Sequence, residues 1–245
     1  MGKWIYLSPH FDDVVLSAGG MIWEQTRRGD SVGIWTICAG DPPADRPLTD
    51  YGQMLHILWE LGEDVPLKRS LEDAACCRVL GASFLRFTVP DNIYRYLPGT
   101  EEAVVKVPDD NLGPLEPTES YLIPHVADFL RKNVPDDVEL VAPLAIGDHR
   151  DHVLVRRAAE RLGFPIWHYV DFPYVTRKEY DLKEWIPADA QTLSIPISPA
   201  GLKAWQEGFA CHRSQIIFLW PDEAEMRAAI ESYLWSGGGC TLWRF

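Results

Sequence analysis

The sequence predicts an α/β fold of three layers, in which a Rossmann-like, mostly parallel sheet carries helices on both faces. Short apolar segments bounded by Gly, Pro or Asp alternate along the chain with longer segments in which apolar residues recur at helical spacing. Segment 31–38 is apolar at most of its positions, which is typical of a strand buried on both faces. No internal repeat or low-complexity linker interrupts residues 1–245, so we expect a single domain.

The first half of the chain opens with a predicted strand over residues 4–7. A helix is expected over residues 18–28, because small residues begin it and Gly29 supplies a C-terminal stop. Gly81 ends the third predicted helix in the same way. The other elements expected in this half are strands 31–38 and 83–89 and helices 51–61 and 67–80.

Capping residues mark most helices of the second half. Thr118 is the expected cap of one helical pattern, in which Pro124 causes a kink or marks the true start, and Pro199 suits the first position of another. Asp222 and Glu225 resemble a capping box before the last helix. Residues 171–190 show no regular pattern. The expected strands are 138–143, 166–170, 192–197 and 240–245, and the expected helices are 118–132, 151–162, 199–211 and 222–236.

Residues 90–117 are expected to form a long active-site loop, because five prolines interrupt any regular pattern there. Long irregular segments inside compact domains commonly carry function, and a disordered insertion is the alternative. Ile93, Tyr94, Tyr96 and Leu97 provide apolar surface for packing, which favours an ordered loop over the site.

The composition argues against several classes of partner. The 245 residues carry a formal net charge of −13, which disfavours nucleic acid and charge-driven binding to anionic membranes. No apolar run is long enough to span a membrane, and the N-terminal residues resemble a strand rather than a signal peptide. We therefore expect a cytoplasmic protein with a small-molecule substrate, and a homo-oligomer is compatible with the sequence.

His10, Asp12 and Asp13 lie in the turn between the first predicted strand and the first predicted helix. Ligands of open α/β sheets usually bind at such turns. Taken alone, however, an Asp pair at a strand end more commonly serves as a turn or N-cap residue pair. The function of this cluster therefore depends on what lies beside it in the fold.

A second polar cluster follows the strand predicted at 138–143, and it contains His149, Asp151 and His152. A His pair three positions apart lies on one side of a helical turn, although such a pair alone is weak evidence for a metal site. Both clusters follow parallel strands, so they meet at the same edge of the sheet. Two imidazoles, one carboxylate and a water form a catalytic zinc arrangement.

A hydrolase built on such a metal also needs a base and an acid that are not ligands themselves. Asp12 or Asp13 could be the base, and His149 or His152 could be the acid. The spacing of these residues leaves both choices open.

These residues resemble the motifs of the PIG-L/LmbE-like zinc-dependent de-N-acetylases. Ser-Pro-His-Phe-Asp-Asp at 8–13 is similar to the P-H-x-D-D motif of that family, and His-Arg-Asp-His at 149–152 is similar to its H-x-x-H motif. Arg-Ser-Leu-Glu at 69–72 resembles the R-x-x-E helix, and Asp91 resembles the Asp after the next strand. Later landmarks of a bacterial branch match at Asp-Phe-Pro-Tyr 171–174 and Ser-Gln 214–215.

The resemblance implies a role for each residue of the two clusters. The implied zinc ligands are His10, Asp13 and His152. Asp12 would be the general base, and His149 would act as the acid and polarise the oxyanion. Asp151 would be a partner that orients a histidine, as metal-binding histidines usually require.

The resemblance also implies that Arg69 and Asp91 contact the substrate. The alternatives are a helix salt bridge from Arg69 to Asp73 and a turn cap at Asp91. The commoner family motif has Pro and Glu where this chain has Phe11 and Val14, so we expect a different pocket wall.

The expected activity is hydrolysis of an N-acetyl group on a sugar or sugar conjugate of the N-acetylglucosamine type, with release of acetate and a free amine. Zn²⁺ is the expected cofactor, and another divalent metal is the alternative. An inactive sugar-binding or metal-binding homologue and a metal-dependent phosphoesterase are the competing functions. The phosphoesterase would need two metals and more carboxylate ligands than the motifs offer.

Overall fold

The computed structural model describes residues 1–177 and 180–245, and one sheet lies at its centre. Within these residues the strands are β1 (Lys3–Ser8), β2 (Ser31–Thr36), β3 (Ser83–Arg86), β4 (Glu139–Pro143), β5 (Trp167–Tyr169), β6 (Gln191–Ser194) and β7 (Thr241–Arg244). Their order across the sheet is β3-β2-β1-β4-β5-β7-β6. Strands β1 to β5 pair in parallel, whereas β7 is antiparallel to both of its neighbours.

The helices of the described residues connect these strands. They are α1 (Asp13–Arg27), α2 (Asp50–Leu58), α3 (Val65–Leu80), α4 (Leu122–Asn133), α5 (Arg150–Glu160), α6 (Leu182–Trp185), α7 (Pro199–Phe209), α8 (Arg213–Leu219) and α9 (Glu223–Trp235). In the part of the chain that the structure describes, no helix is both long and apolar enough to cross a membrane.

The side chains of β1 alternate between two buried faces of the sheet. Trp4 and Tyr6 pack in a hydrophobic cluster with residues of α1, α3, α7 and α9. Ile5 and Leu7 pack in a second cluster with residues of α4 and α5. The sheet therefore lies between two helical layers, and the predicted three-layer α/β fold is confirmed.

The connections of the sheet change direction between β1 and β4. From β1 the chain continues to β2 and β3 on one side, and from β4 it continues to β5 on the other. Loops that leave the carboxyl ends of two such strands diverge, and the crevice between them is where α/β proteins of this type bind ligands. Both polar clusters of the sequence leave from this crevice.

The prediction that the first helix begins at residue 18 is wrong, because α1 begins at Asp13. Gly19 and Gly20 lie inside the helix and allow a close approach of α7. A Cβ atom on Gly19 would lie 2.6 Å from the Trp205 side chain, and one on Gly20 would lie 2.9 Å from it. The small residues therefore mark a contact between two helices rather than a helix start.

Other boundaries also differ from the sequence predictions. A 3₁₀ turn at Pro117–Glu119 precedes α4, so Thr118 is not the cap of that helix. The segment expected to be irregular at 171–190 contains a 3₁₀ turn at Tyr174–Thr176 and the short helix α6, and residues 178 and 179 of it lie outside the described residues. Helix α8 was not predicted, since it is short and follows α7 after only three residues.

Segment 90–117 packs against α2 through a small apolar cluster of its own. Ile93, Tyr94 and Val105 are buried there with Tyr51 and Leu55 of that helix. The backbone N–H of residue 104 donates to the carbonyl of residue 95 at 2.9 Å, which folds the segment back on itself. Two 3₁₀ turns, Asn92–Tyr94 and Pro108–Asn111, also belong to it.

Candidate active site and metal centre

Two turns at the carboxyl edge of the sheet bring three histidines together. His10 follows β1, whereas His149 and His152 lie at the N-terminus of α5. The centroids of the His10 and His149 rings are 5.0 Å apart, and those of His149 and His152 are 5.1 Å apart. One nitrogen from each ring lies within 4.8 Å of the others. The two clusters that are distant in sequence thus form one site.

Asp13 lies between two of these rings. Its Oδ2 atom is 3.0 Å from His10 Nδ1 and 3.3 Å from His152 Nε2. The same oxygen accepts a hydrogen bond of 2.8 Å from the backbone N–H of His10, because residues 10–13 turn tightly into α1. One carboxylate oxygen and two imidazole nitrogens therefore converge on one point.

Buried carboxylates fix the orientation of both histidines that flank Asp13. Asp151 Oδ2 is 3.1 Å from His10 Nε2, and Asp171 Oδ1 is 2.6 Å from His152 Nδ1. With a cation bound beside Asp13, each of these two carboxylates would accept the proton of the nitrogen it contacts, and Nδ1 of His10 and Nε2 of His152 would be free to give lone pairs to the cation.

The donor set fits a divalent cation. Nε2 of His152 is buried and makes no well-aligned hydrogen bond among residues 1–177 and 180–245, although an Asp13 oxygen lies 3.3 Å away. A buried nitrogen without a good hydrogen bond lowers the stability of the fold unless another group binds it. Two imidazoles and one carboxylate form the ligand set of many catalytic zinc sites, in which a water takes the fourth position.

The acidic residues around the site favour positive charge at its centre. Burial opposes protonation of His152, but Asp13 and Asp171 outweigh it and raise the pKa of that imidazole to about 9. Burial likewise opposes protonation of His10, and Asp91 and Asp13 raise its pKa well above the usual value. A bound cation would supply the charge that these two rings otherwise carry as protons.

A second set of candidate ligands, His10, Asp91 and Asp151, also lies within 4.8 Å. This set already has cationic partners. Arg95 donates to Asp151 at 2.7 Å, and an Arg69 nitrogen lies 3.5 Å from Asp91. Two guanidinium groups this close would repel a divalent ion. No guanidinium forms an ion pair with Asp13 within the described residues, so the point where Asp13 meets His10 and His152 is more favourable for a cation.

Asp12 lines the cavity beside this centre and contacts Arg69. The guanidinium of Arg69 donates to Asp12 Oδ1 at 3.2 Å, and it stacks on Trp59 at 4.5 Å from the ring centroid. Burial and the neighbouring Asp13 carboxylate raise the pKa of Asp12 to about 6, while Arg69 opposes this shift. A carboxylate with such a pKa is well matched to proton transfer near neutral pH.

The contacts of Arg69 correct one sequence alternative. Arg69 forms no salt bridge with Asp73 within the described residues; Asp73 instead pairs with Arg86 at 3.4 Å. Arg69 and Asp91 both line the cavity, where the resemblance implied that they contact substrate. Asp91 also accepts a hydrogen bond from the backbone N–H of Ile93, so the turn-cap role is present as well.

His149 has a different environment from the other two histidines. Its Nδ1 atom accepts a hydrogen bond of 3.3 Å from the backbone N–H of Asp151. Burial, and then the charges of His10 and His152, lower the pKa of His149 well below its usual value. The neutral ring therefore carries its proton on Nε2, and His149 lines the cavity.

A cavity of about 340 Å³ opens over the site. Phe11 and Val14, the two departures from the commoner family motif, are not among its lining residues in the described part of the chain, so they do not face the cavity directly. Phe11 lies beneath Arg69 instead, and Val14 is buried in the core. Wall residues that the sequence did not identify are Tyr51, Trp59, Asn111 and Phe218, whereas Tyr174 and Gln215 belong to the landmarks of the bacterial branch.

Gln215 lines the cavity and is held there by a chain of hydrogen bonds that begins at Glu72 of α3. Glu72 accepts hydrogen bonds from the backbone N–H and the hydroxyl of Ser214, at 3.0 and 2.6 Å. The Ser214 hydroxyl in turn accepts from Nε2 of Gln215 at 3.0 Å. The Glu of the R-x-x-E pattern and the Ser-Gln pair, which the sequence left as separate landmarks, thus form one unit that holds α8 at the cavity.

Gly147 permits the close approach of a wall residue in the loop after β4. Its φ angle is +96°, and a Cβ atom there would lie 2.4 Å from the ring of Tyr174. Both the backbone conformation and the space therefore require glycine. Tyr174 lines the cavity and contacts the His152 ring edge to face, with centroids 5.6 Å apart.

The comparison with protein families agrees with this geometry. Residues 5–162 match the family model described as PIG-L, GlcNAc-PI de-N-acetylase. The chain belongs to the PIG-L family of de-N-acetylases. It is thus an enzyme of a deacetylase family, and the residues that the resemblance assigned as ligands and base lie within the matched segment.

Several relatives of this PIG-L protein are deacetylases. A 2′-N-acetylparomamine deacetylase of Niallia circulans is 24% identical, with 91% of this chain and 84% of that protein covered. A deacetylase of teicoplanin biosynthesis has a TM-score of 0.82 and 26% identity, over 99% of this chain and 97% of that one. A zinc-inhibited form of teicoplanin deacetylase has a TM-score of 0.78 and 25% identity, over 99% of this chain and 97% of that one.

Proposed function

We propose that this PIG-L family protein is a metal-dependent hydrolase that removes the N-acetyl group of a sugar conjugate, giving acetate and a free amine. The observation that carries the proposal is the convergence of His10 Nδ1, Asp13 Oδ2 and His152 Nε2 beside the unliganded carboxyl of Asp12. N-acetylated sugars are supported as the substrate class because the relatives named above act on paromamine and teicoplanin compounds.

The metal ligands in this proposal are His10, Asp13 and His152. A divalent ion held by them would lower the pKa of its water toward about 7 and polarise the amide carbonyl. Zinc is the proposed ion on the basis of the ligand types. A relative is described in a zinc-inhibited form, so other divalent ions belong in the test.

Asp12 and His149 supply the proton chemistry in this proposal. Asp12 takes a proton from the attacking water, which forms the new C–O bond at the acetyl carbon. Nε2–H of His149 donates to the carbonyl oxygen as it gains negative charge, where a fixed donor contributes most. The proton that Asp12 took from the water then passes to the amide nitrogen, the C–N bond breaks, and the amine leaves.

The remaining polar residues position the substrate. Arg69, Asp91 and Gln215 offer donors and acceptors to sugar hydroxyls on the cavity wall, and Trp59 offers an aromatic face. A cytoplasmic location, a homo-oligomer and the lack of a nucleic-acid partner stay predictions from the sequence.

The test is an assay of free-amine release. Glycosides of N-acetylglucosamine are incubated with protein that has been stripped of metal and then loaded with zinc, manganese, cobalt or magnesium. We expect amine release to depend on added metal and to stop when a chelator is added. Metal binding without amine release from any acetylated substrate would favour the inactive homologue, and release of phosphate from phosphate esters would favour the phosphoesterase.

A base variant makes this test specific. Asp12→Asn should bind metal as the wild type does and lose about 100-fold or more in turnover, because general-base help contributes roughly 10²–10⁴. Asp148→Asn is the matched control, since Asp148 is exposed on the nearby loop at a φ of 53°, which Asn tolerates. A wild-type rate in the Asp12 variant would exclude Asp12 as the base.

A further inference from the structure

Arg95, in segment 90–117, lies at the centre of a buried ionic network behind the metal centre. Its Nε atom donates to Glu119 at 2.6 Å, and its NH2 group donates to Asp151 Oδ1 at 2.7 Å. The remaining terminal nitrogen donates to the carbonyl of Pro90 at 3.0 Å. Arg95 is only 6% exposed and Glu119 only 1%, so the contacts are shielded from water.

The carboxylate of Asp151 links this network to His10. Its Oδ1 atom accepts from Arg95, and its Oδ2 atom accepts from the backbone N–H of Asn92 at 3.0 Å. The same Oδ2 atom contacts Nε2 of His10 at 3.1 Å. Both oxygens are thus engaged, and the plane of the carboxylate is fixed from two sides. The ring of His10 takes its orientation from that plane.

We propose that Arg95 is a positioning residue for the metal centre, which holds Asp151 so that His10 presents Nδ1 to the metal. Lysine can replace it only in part, because only a planar guanidinium donates at fixed angles to two carboxylates and a carbonyl at once. The inference rests on the metal site proposed above. It also assigns the first part of segment 90–117 a fixed role inside the site, since Asn92 and Arg95 both hold Asp151.

The test measures the affinity of metal-free protein for zinc, by competition with a chromophoric chelator. Arg95→Met should bind zinc about 10- to 100-fold more weakly than the wild type, which is the usual cost of removing a partner behind a metal ligand. Arg95→Lys should show a smaller loss. Circular dichroism and thermal unfolding of the metal-free proteins report whether each variant is folded.

Arg150→Met is a matched control. Arg150 donates to Glu116 at 2.7 Å, so it forms a second Arg–Glu pair that joins segment 90–117 to α5, one residue from Asp151. Its side chain does not contact His10 or Asp151 within the described residues. We expect Arg150→Met to keep wild-type zinc affinity. An equal loss in this variant would assign the effect to general anchoring of the segment and overturn the role of Arg95.

A double-mutant cycle separates positioning from packing. If Arg95 acts through Asp151, Arg95→Met should weaken zinc binding by less than about twofold when Asp151 is already Asn. Additive losses, or wild-type affinity in folded Arg95→Met, would overturn the inference. Should Arg95→Met fail to fold, the same cycle with Arg95→Lys decides, and wild-type affinity there overturns the inference. A wild-type protein that binds no divalent ion would overturn the proposed metal site itself.

Discussion

Removal of the Arg69 charge should move the pH dependence of the reaction. Arg69 donates to Asp12 Oδ1 at 3.2 Å, and both groups are buried. At an effective dielectric constant near 20, charges about 4 Å apart interact by about 4 kcal/mol. One pKa unit corresponds to about 1.4 kcal/mol, so Arg69 can lower the pKa of Asp12 by at most about 3 units. Arginine neighbours lower carboxyl pKa values by roughly 1 to 3 units in proteins.

The expected effect of Arg69→Met follows from these magnitudes. With Arg69 present, the pKa of Asp12 is about 6. Loss of the Arg69 guanidinium would raise the pKa of Asp12 to between about 7 and 9. If Asp12 is the base, as proposed, its ionised fraction at pH 7 then falls from about nine-tenths to between one half and one hundredth, and kcat/KM falls by about 2- to 100-fold. A bound metal shifts the pKa of Asp12 alike in the wild type and in Arg69→Met, so the difference in pKa between the two proteins is the quantity of interest.

The assay is the profile of kcat/KM against pH for metal-loaded wild type and Arg69→Met. The acid limb should move to higher pH, and the rate should recover toward pH 9. Arg86→Met is the control, because Arg86 pairs with Asp73 rather than with Asp12. A raised KM with an unmoved acid limb would refute the reasoning and leave substrate contact as the role of Arg69.

Two further predictions concern histidines. His152→Ala should lose metal, because it removes a proposed ligand, whereas His149→Ala should keep metal and lose turnover. Metal analysis of the purified variants is the measurement, and equal metal loss in both would contradict the proposed division of roles between the two histidines. His168 is buried against Phe245, and burial, followed by the charge of Arg156, lowers its pKa to about 4. Below its unfolded pKa of about 6.5, the unfolded chain gains a proton that the folded chain refuses, so stability is lost as pH falls from about 6.5 toward 4, by about 3 kcal/mol. Urea unfolding across this range should show a smaller loss for His168→Phe, and parallel curves would disprove the assignment.

The convergence of the two polar clusters could be predicted from the sequence because it depends only on strand direction. His10 follows β1 and His149 follows β4, and carboxyl ends of parallel strands share an edge. Asp171 obeys the same rule, since it follows β5, and could have been identified as a partner of the site. A single sequence thus carries the information for contacts that follow from strand ends.

Other contacts depend on tertiary packing that no periodicity encodes. Arg95 lies in an irregular segment, and its partner Glu119 lies 24 residues further on. Arg69 has an acidic residue four positions away on its own helix, yet it pairs across the cavity with Asp12, because α3 turns that face toward the site. Gly19 suggested a helix boundary from composition, while its actual partner, Trp205, lies on α7. Each of these depends on which surfaces meet.

The partners behind the three histidines provide a reason for the different roles proposed for them, which the spacing alone left open. A carboxylate that accepts a proton from one ring nitrogen raises the basicity of the other, as ligands require. Asp151 does this for His10, and Asp171 does it for His152. A backbone N–H that donates to a ring nitrogen has the opposite effect, since it lowers basicity and leaves the proton on the other nitrogen. His149 has that partner. The two turns therefore place together two proposed ligands that give electron pairs and one donor that gives a hydrogen bond, in agreement with the proposed division between metal binding and stabilisation of the oxyanion.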